Sequence, residues 1–244
     1  MHFFTDMDLE GLDTVIMAGD DAHHLLHVLR AEPGTELEMT DACGRIYTCT
    51  LRKAQRDRAV LAVGEEIPAD RELPCHITLY PCVAKSDKMA FIIQKATELG
   101  VSKIVPVISE RTVVRPDQKS AAHKRERWQK IAEAAAKQCG RARIPKIQPI
   151  LLIGEAVKRA GETGLFLLPY ECADDPKETR ALMEQVRDCD HLSVMIGPEG
   201  GFSSEEVQAA QREGAQVITL GKRILRAETA AITVLSWLVY EMEI

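Results

Sequence analysis

Between residues 2 and 66, apolar and polar side chains alternate in short runs, the period of strands that bury one face and leave the other wet. Residues 2–5, 14–17, 35–40, 45–52 and 59–66 are predicted strands, with Pro33-Gly34 and Ala42-Cys43-Gly44 as turns. After the second run the spacing becomes helical. Ala22, Leu25, Leu26 and Leu29 fall on one face, Asp20 stands where a cap belongs, and Pro33 ends the segment. Short strands around one helix suggest a small β-barrel.

The alternation stops in Ile67-Pro-Ala-Asp-Arg-Glu-Leu-Pro74, a polar stretch with two prolines, which places a domain boundary near residue 72. Two domains are expected, 1–72 and 73–244. Beyond the boundary, predicted strands at 76–81, 103–108, 146–148, 165–168, 192–196 and 216–220 alternate with helices at 87–99, 123–139, 153–159, 176–187, 204–213 and 228–240. Such α/β alternation predicts a largely parallel sheet with helices on both faces, and ligand sites at the carboxyl ends of its strands.

A chain of 244 residues with 45% hydrophobic and 28% charged side chains has the make-up of a folded globular protein. The start MHFFTDMDLE has no basic segment ahead of an apolar one, and no apolar run reaches about 18 residues, so a soluble, cytoplasmic protein without membrane contact is expected. Seven scattered cysteines form no CxxC pair and no metal-like cluster with the histidines, which predicts reduced thiols and no metal. The net charge of −6 argues against a nucleic-acid partner, but its distribution does not. From Arg111 to Lys146, eleven Lys or Arg face three acidic residues, a local net charge of +8. Phosphates respond to such a local field, because screening removes charge beyond roughly 10 Å. Arg111, Arg115, Lys124, Arg127, Lys137, Arg141 and Arg143 are therefore candidate contacts to nucleic-acid phosphates, the alternative being a solvated helix face.

Four segments carry candidate chemistry. In Ser193 to Val207 an apolar strand runs into Gly197-Pro-Glu-Gly-Gly201, and Ser203 or Ser204 caps the helix that follows. Glycines let a ligand approach the backbone, and without a phosphate-loop lysine or GxGxxG spacing a mononucleotide-like or adenosyl ligand held by backbone groups fits better. A tight turn with no ligand is the alternative. In Leu220 to Ala231, Gly221 opens a loop, Lys222, Arg223 and Arg226 bring positive charge to a strand end, and Glu228 or Thr229 starts the last helix. Here an Arg226–Glu228 ion pair is the structural alternative. Pro169-Tyr-Glu171 ends a third strand and would share one pocket with the other two if the strands are neighbours. In Lys85 to Gly100, Asp87 is the expected cap, and Lys85, Lys88, Gln94, Lys95 and Glu98 form a polar set near a strand end.

Taken in order, His23-His-Leu-Leu-His-Val-Leu-Arg30, the helix from Lys88 to Gly100, Arg127-Trp128 through Cys139, Ile196-Gly-Pro-Glu-Gly-Gly-Phe202 and Leu220 to Ala230 resemble the bacterial 16S ribosomal RNA uridine-N3 methyltransferase family of the SPOUT superfamily. The resemblance spans essentially the whole chain. It implies a PUA-like β-barrel that helps hold RNA, a SPOUT-type α/β trefoil-knot domain that binds S-adenosyl-L-methionine, and a homodimer acting on 16S rRNA in the small ribosomal subunit. For the cofactor it implies Leu168, Pro169, Tyr170 and Glu171, then Ile196, Gly197, Pro198, Glu199, Gly200 and Gly201, then Leu220, Gly221, Ile224 and Leu225. Arg226 would favour the anionic uridine, Glu228 would act as base or orienting partner, and Arg30 would add an RNA contact. The chain departs from the familiar pattern at Lys222, where proline is more usual, and at His2-Phe3-Phe4, which a basic residue commonly precedes. Other readings of the same segments are a SPOUT methyltransferase acting on another RNA or on a ribose 2′-hydroxyl, and a non-catalytic RNA-binding assembly factor.

Overall fold

The computed structural model describes every residue except Arg56 and Asp174, and only the backbone of Ser86. The chain forms two compact units, Met1–Glu72 with residues 136–143, and Leu73–Ala135 with Ile144–Ile244.

In the first unit, strands β1 (His2–Phe4), β2 (Thr14–Ala18), β3 (Glu36–Thr40), β4 (Ile46–Gln55) and β5 (Arg58–Ile67) form one sheet in the order β1-β3-β4-β5-β2. β1 runs parallel to β3 and the other pairings are antiparallel. The sheet is open. Among the described residues no ladder joins the edge strands β1 and β2, although register shifts in the β4–β5 pair bend it as bulges do. Its inward face buries Phe3, Val15, Met39, Leu51 and Leu61 around Ala22 and Leu25 of the helical segment. That segment is α1 (Gly19–His23), prolonged by a π-helical turn at His24–Val28. Asp20 lies in the first turn of α1, not at its cap, which is Ala18.

The second unit is built on a six-stranded parallel sheet of β6 (His76–Pro81), β7 (Lys103–Ile104), β9 (Lys146–Ile147), β11 (Leu165–Pro169), β12 (His191–Ile196) and β13 (Ala215–Ile218), in the order β13-β11-β12-β6-β7-β9. Two further strands, β8 (Val107–Ile108) and β10 (Leu151–Leu152), form a separate parallel pair, and Val107 of β8 also bridges to Cys82 just after β6. The single strand expected over 103–108 is thus split at Val105-Pro106, where the proline has no N–H to continue a ladder.

Alternate strand residues enter two separate cores, the pattern of a sheet covered on both sides. Ile77, Leu79, Leu167, Leu192 and Val194 pack with Met89, Ile92 and Ile93 of α2 (Ser86–Glu98), Trp128 and Ala132 of α3 (Gln118–Cys139), and Val234, Leu235 and Leu238 of α7 (Ala227–Glu243). Tyr80, Phe166, Leu168 and Met195 pack on the other face with Ala156, Val157 and Ala160 of α4 (Ile153–Gly161) and Val207 and Ala210 of α6 (Ser204–Arg212). Leu182 and Met183 of α5 (Pro176–Gln185) join the first of these cores. The helix starts differ from expectation: Asp87 lies in the first turn of α2 behind Lys85, and α7 begins at Ala227 with Arg226 as its cap residue. Among the described residues no helix is long and apolar enough to cross a membrane.

Candidate functional site

β11 lies between β12 and β13, so the segments following Pro169, Ile196 and Ile218 leave the sheet side by side at its carboxyl edge. They enclose a cavity of about 600 Å³, within the range of about 300–1,000 Å³ common for small-ligand sites. One wall is Pro169, Tyr170 and Glu171, and a second is the run from Ile196 to Phe202. The third is Leu220, Gly221 and the run from Arg223 to Ala227, with Ala230 of α7 and Lys88 of α2 completing the lining. Every residue expected at the cofactor is in this lining except Leu168, which is 1% exposed in the core beneath. Sequence reasoning did not single out Phe202, Ala227 or Ala230, whose neighbours in the chain carry the motif.

The glycine loop is held from several sides. Gly201 has φ of 68°, and a Cβ there would lie 2.4 Å from Glu171 Oε1, so only glycine leaves the loop and the carboxylate in place. Ser203 accepts from the Glu206 amide while Glu206 Oε2 accepts from the Ser203 amide, a capping box that fixes the loop's exit into α6. Glu206 is nearly buried and its Oε1 also accepts from the Glu110 amide at 2.7 Å. Arg111 donates to the Gly200 carbonyl at 2.9 Å, and Arg115 donates to the carbonyls of Ser109, Glu110 and Thr112. Both arginines were expected at RNA, and both spend donors on the protein's own backbone. Lys88 Nζ pairs with Glu199 Oε1 at 3.0 Å. Burial raises the Glu199 carboxyl, but its own backbone amide and the Lys88 ammonium outweigh that and hold it below the usual carboxylate range.

Arg226 lines the cavity, exposed. Glu228, in the first turn of α7, stands outside the lining, and its Oε2 is buried with no hydrogen-bond partner among the described residues. Burying a carboxylate oxygen unpartnered is costly, which marks it as an acceptor without its donor.

The remaining basic residues divide by what they touch. Lys124 and Arg127 border a shallow basin on α3 with Lys119 and His123, and Arg125 and Lys130 border another with Lys146. Among the described residues none of Lys119, Lys124, Arg125, Arg127 and Lys130 is joined to a carboxylate. In the first unit Lys137 pairs with Asp21 at 2.6 Å, and Arg141, 3% exposed, makes a two-point contact with Glu72. Arg141 therefore presents no charge to an RNA face. Arg143 is exposed, and its backbone amide, not its guanidinium, contacts Glu72. Arg30 is exposed and adopts a left-handed backbone with φ of 54° just beyond the π-helical turn.

Comparison with known proteins gives the chain its relatives. The family described as an RNA methyltransferase domain matches residues 71–239, and an RNA methyltransferase PUA domain matches residues 18–63. The ribosomal RNA small subunit methyltransferase E of Bacillus subtilis is 31% identical over 243 residues, 98% of this chain and 95% of that protein. The small subunit methyltransferase E of Neisseria gonorrhoeae, solved bound to S-adenosyl methionine, superposes with a TM-score of 0.84 at 34% identity, covering 96% of this chain and 94% of that one. A methyltransferase from Legionella pneumophila, solved with its bound cofactor SAM, gives a TM-score of 0.85 at 29% identity, covering 97% and 96%.

Proposed function

The chain belongs to the RNA methyltransferase family, and on that premise we propose that it transfers a methyl group from S-adenosyl-L-methionine to N3 of a uridine in 16S rRNA of the small ribosomal subunit. The observation that carries this reading is the convergence of three loops on one cavity at the carboxyl edge of a parallel sheet.

S-adenosylmethionine bound there would supply an electrophilic methyl on a sulfonium. The glycine loop offers backbone polar groups without side-chain bulk, while Ile196, Leu220 and Leu225 give the cavity apolar surface. Uridine N3 carries a proton at neutral pH and must lose it before it can act as a nucleophile. Arg226 places a positive charge at the cavity wall, which favours the anionic base. Glu228, in the first turn of α7 with a buried carboxylate oxygen that has no partner among the described residues, would take that proton or orient Arg226.

RNA phosphates would lie along α3, whose Lys119, Lys124, Arg125, Arg127 and Lys130 form no ion pair among the described residues, and Arg30 and Arg143 would add contacts. The first unit would act as a PUA-like RNA holder. The second would adopt the trefoil knot of its superfamily, a reading supported by the insertion of β12 between β6 and β11. The protein would act in the cytoplasm as a homodimer, with Phe91 of α2 and Tyr240 of α7 as exposed apolar side chains for a second copy to cover.

The test is calorimetric titration with S-adenosylmethionine, then incubation with unmodified small subunits and mass spectrometry of their nucleosides. Binding with new 3-methyluridine is expected. Binding with a different methylated nucleoside would move the target, and no binding would leave an RNA-binding protein without this chemistry.

A further inference from the structure

At the edge of the sheet opposite the cavity, two histidines stand together. His76 opens β6 and His191 opens β12, parallel neighbours whose register pairs these two residues directly. Residues paired in this way project from the same face, on backbones about 4.8 Å apart. Both residues are exposed, and their rings lie nearly parallel, with 5.3 Å between centroids and 20° between planes. Among the described residues, neither ring takes part in a hydrogen bond or an ion pair. A Cβ at Gly164 would stand 3.8 Å from the His191 Cβ, so glycine there leaves the other flank of that side chain uncovered.

Two imidazoles with uncommitted nitrogens and a spacing fixed by strand pairing make a chelate. With nitrogen-to-metal bonds of about 2.1 Å, two rings on one tetrahedral ion have their centroids roughly 5 Å apart. The pair already has that separation. Each ring need only turn about χ2, a torsion with broad minima, to aim one nitrogen at a shared ion. Imidazole suits zinc, copper and nickel, whereas magnesium and calcium take oxygen ligands. The group Asp8, Asp41 and Cys43 in the first unit differs, because Arg45 already pairs with both of its carboxylates.

We propose that His76 and His191 together bind one divalent transition-metal ion, each through a single ring nitrogen, with water in the remaining positions. Strand order brings these ligands together, and no spacing along the chain announces them. β6 and β12 are six residues long, so at about 3.3 Å per residue roughly 15–20 Å of sheet separates this site from the cavity at the carboxyl edge. An ion held there cannot touch a ligand in the cavity, which makes the site distinct from the methyl-transfer chemistry.

Nickel(II) is the probe, because thiolates favour zinc and copper(I) and so compete less for it. It is titrated calorimetrically into the full-length protein, into His76→Gln, into His191→Gln and into the double variant, with magnesium as the oxygen-seeking control. His23 and His27, whose rings are 5.0 Å apart, stay in every variant and cancel from the comparison. Joining two weak ligands raises affinity by about 10²-fold or more, so either single substitution should weaken nickel at this site by roughly that factor. The double variant should lose little more, since a chelate is broken by the loss of either ring. Glutamine at these exposed positions leaves the fold intact, and thermal midpoints measured without metal should agree among the four proteins. Losses that add from the single variants to the double would overturn the proposal, because the rings would then bind separately. Nickel binding unchanged in either single variant would overturn it as well, as would magnesium bound as tightly as nickel.

Discussion

Arg226 borders the cavity and Glu228, two positions later, does not. The two substitutions should therefore differ in kind. Arg226→Ala is expected to lower kcat by about 10²–10³ with little change in cofactor KM, the loss usual for a group that stabilises developing negative charge. Glu228→Gln keeps an acceptor and the side-chain shape, and should retain activity to within roughly tenfold. Initial rates on small-subunit RNA decide between them, and a Glu228→Gln enzyme as slow as Arg226→Ala would make the glutamate the base. Residues such as Gly197 to Gly201 were legible because one window of sequence holds the strand end, the turn glycines and the cap. Lys88 was visible only as part of a polar set, since its partner lies 111 positions away. Arg111 and Arg141 look alike in a charge count, yet one holds the Gly200 carbonyl and the other is buried against Glu72. Charge read along a chain cannot separate a cation that meets solvent from one already paired.

Among the helices, α3 bears the test of RNA binding. If Lys119, Lys124 and Arg127 each neutralise one phosphate, replacing all three with alanine should lower the slope of log affinity against log salt by about 2, at about 0.7 per contact on single-stranded RNA. Fluorescence anisotropy of a labelled 16S fragment over a salt series measures this, and an unchanged slope would remove α3 from the interface. The long helices were readable because each keeps one period over several turns, and strands such as β11 and β12 because they are short continuous apolar runs, buried on both faces. The shorter elements were not. β8 and β10 have two residues each, too few for any period to show. α3 begins at Gln118, five residues ahead of the predicted start, because Gln118-Lys-Ser-Ala-Ala122 carries no large apolar side chain to mark a buried face. The open edge of the first sheet depends on which strands pair, and alternation within a strand says nothing of its neighbours.

For the molecule as a whole, acid is the informative perturbation. His2 contacts Glu38 at 3.0 Å and Thr40 at 2.8 Å, and Arg71 holds the same Glu38 while donating to the Gly140 carbonyl. Hydrogen bonding from Arg71, with His2 behind it, lowers the Glu38 carboxyl to about 2. Burial lowers His2 from its ordinary 6.5. In both cases the unfolded chain binds the proton more readily than the folded one, so stability is greatest above the ordinary values and falls with pH. The loss should begin below 6.5 through His2 and deepen between 4.5 and about 2 through Glu38. Denaturant midpoints from about pH 7 to about pH 3 should show this decline, and Glu38→Gln should flatten its lower part. An unchanged profile in that variant would put the acid sensitivity elsewhere. The first unit also has a bearing on how the protein is made. Its own contacts include Lys137 on Asp21, the Gly140 carbonyl on Arg71 and Arg141 on Glu72. A ribosome that has released residues 1–72 has not yet synthesised those partners, and at about 5–20 residues per second they follow several seconds later. The amino-terminal sheet is thus the earlier part to emerge and a later part to be completed, waiting on a stretch of chain that arrives only after β6, α2 and most of α3 have been translated.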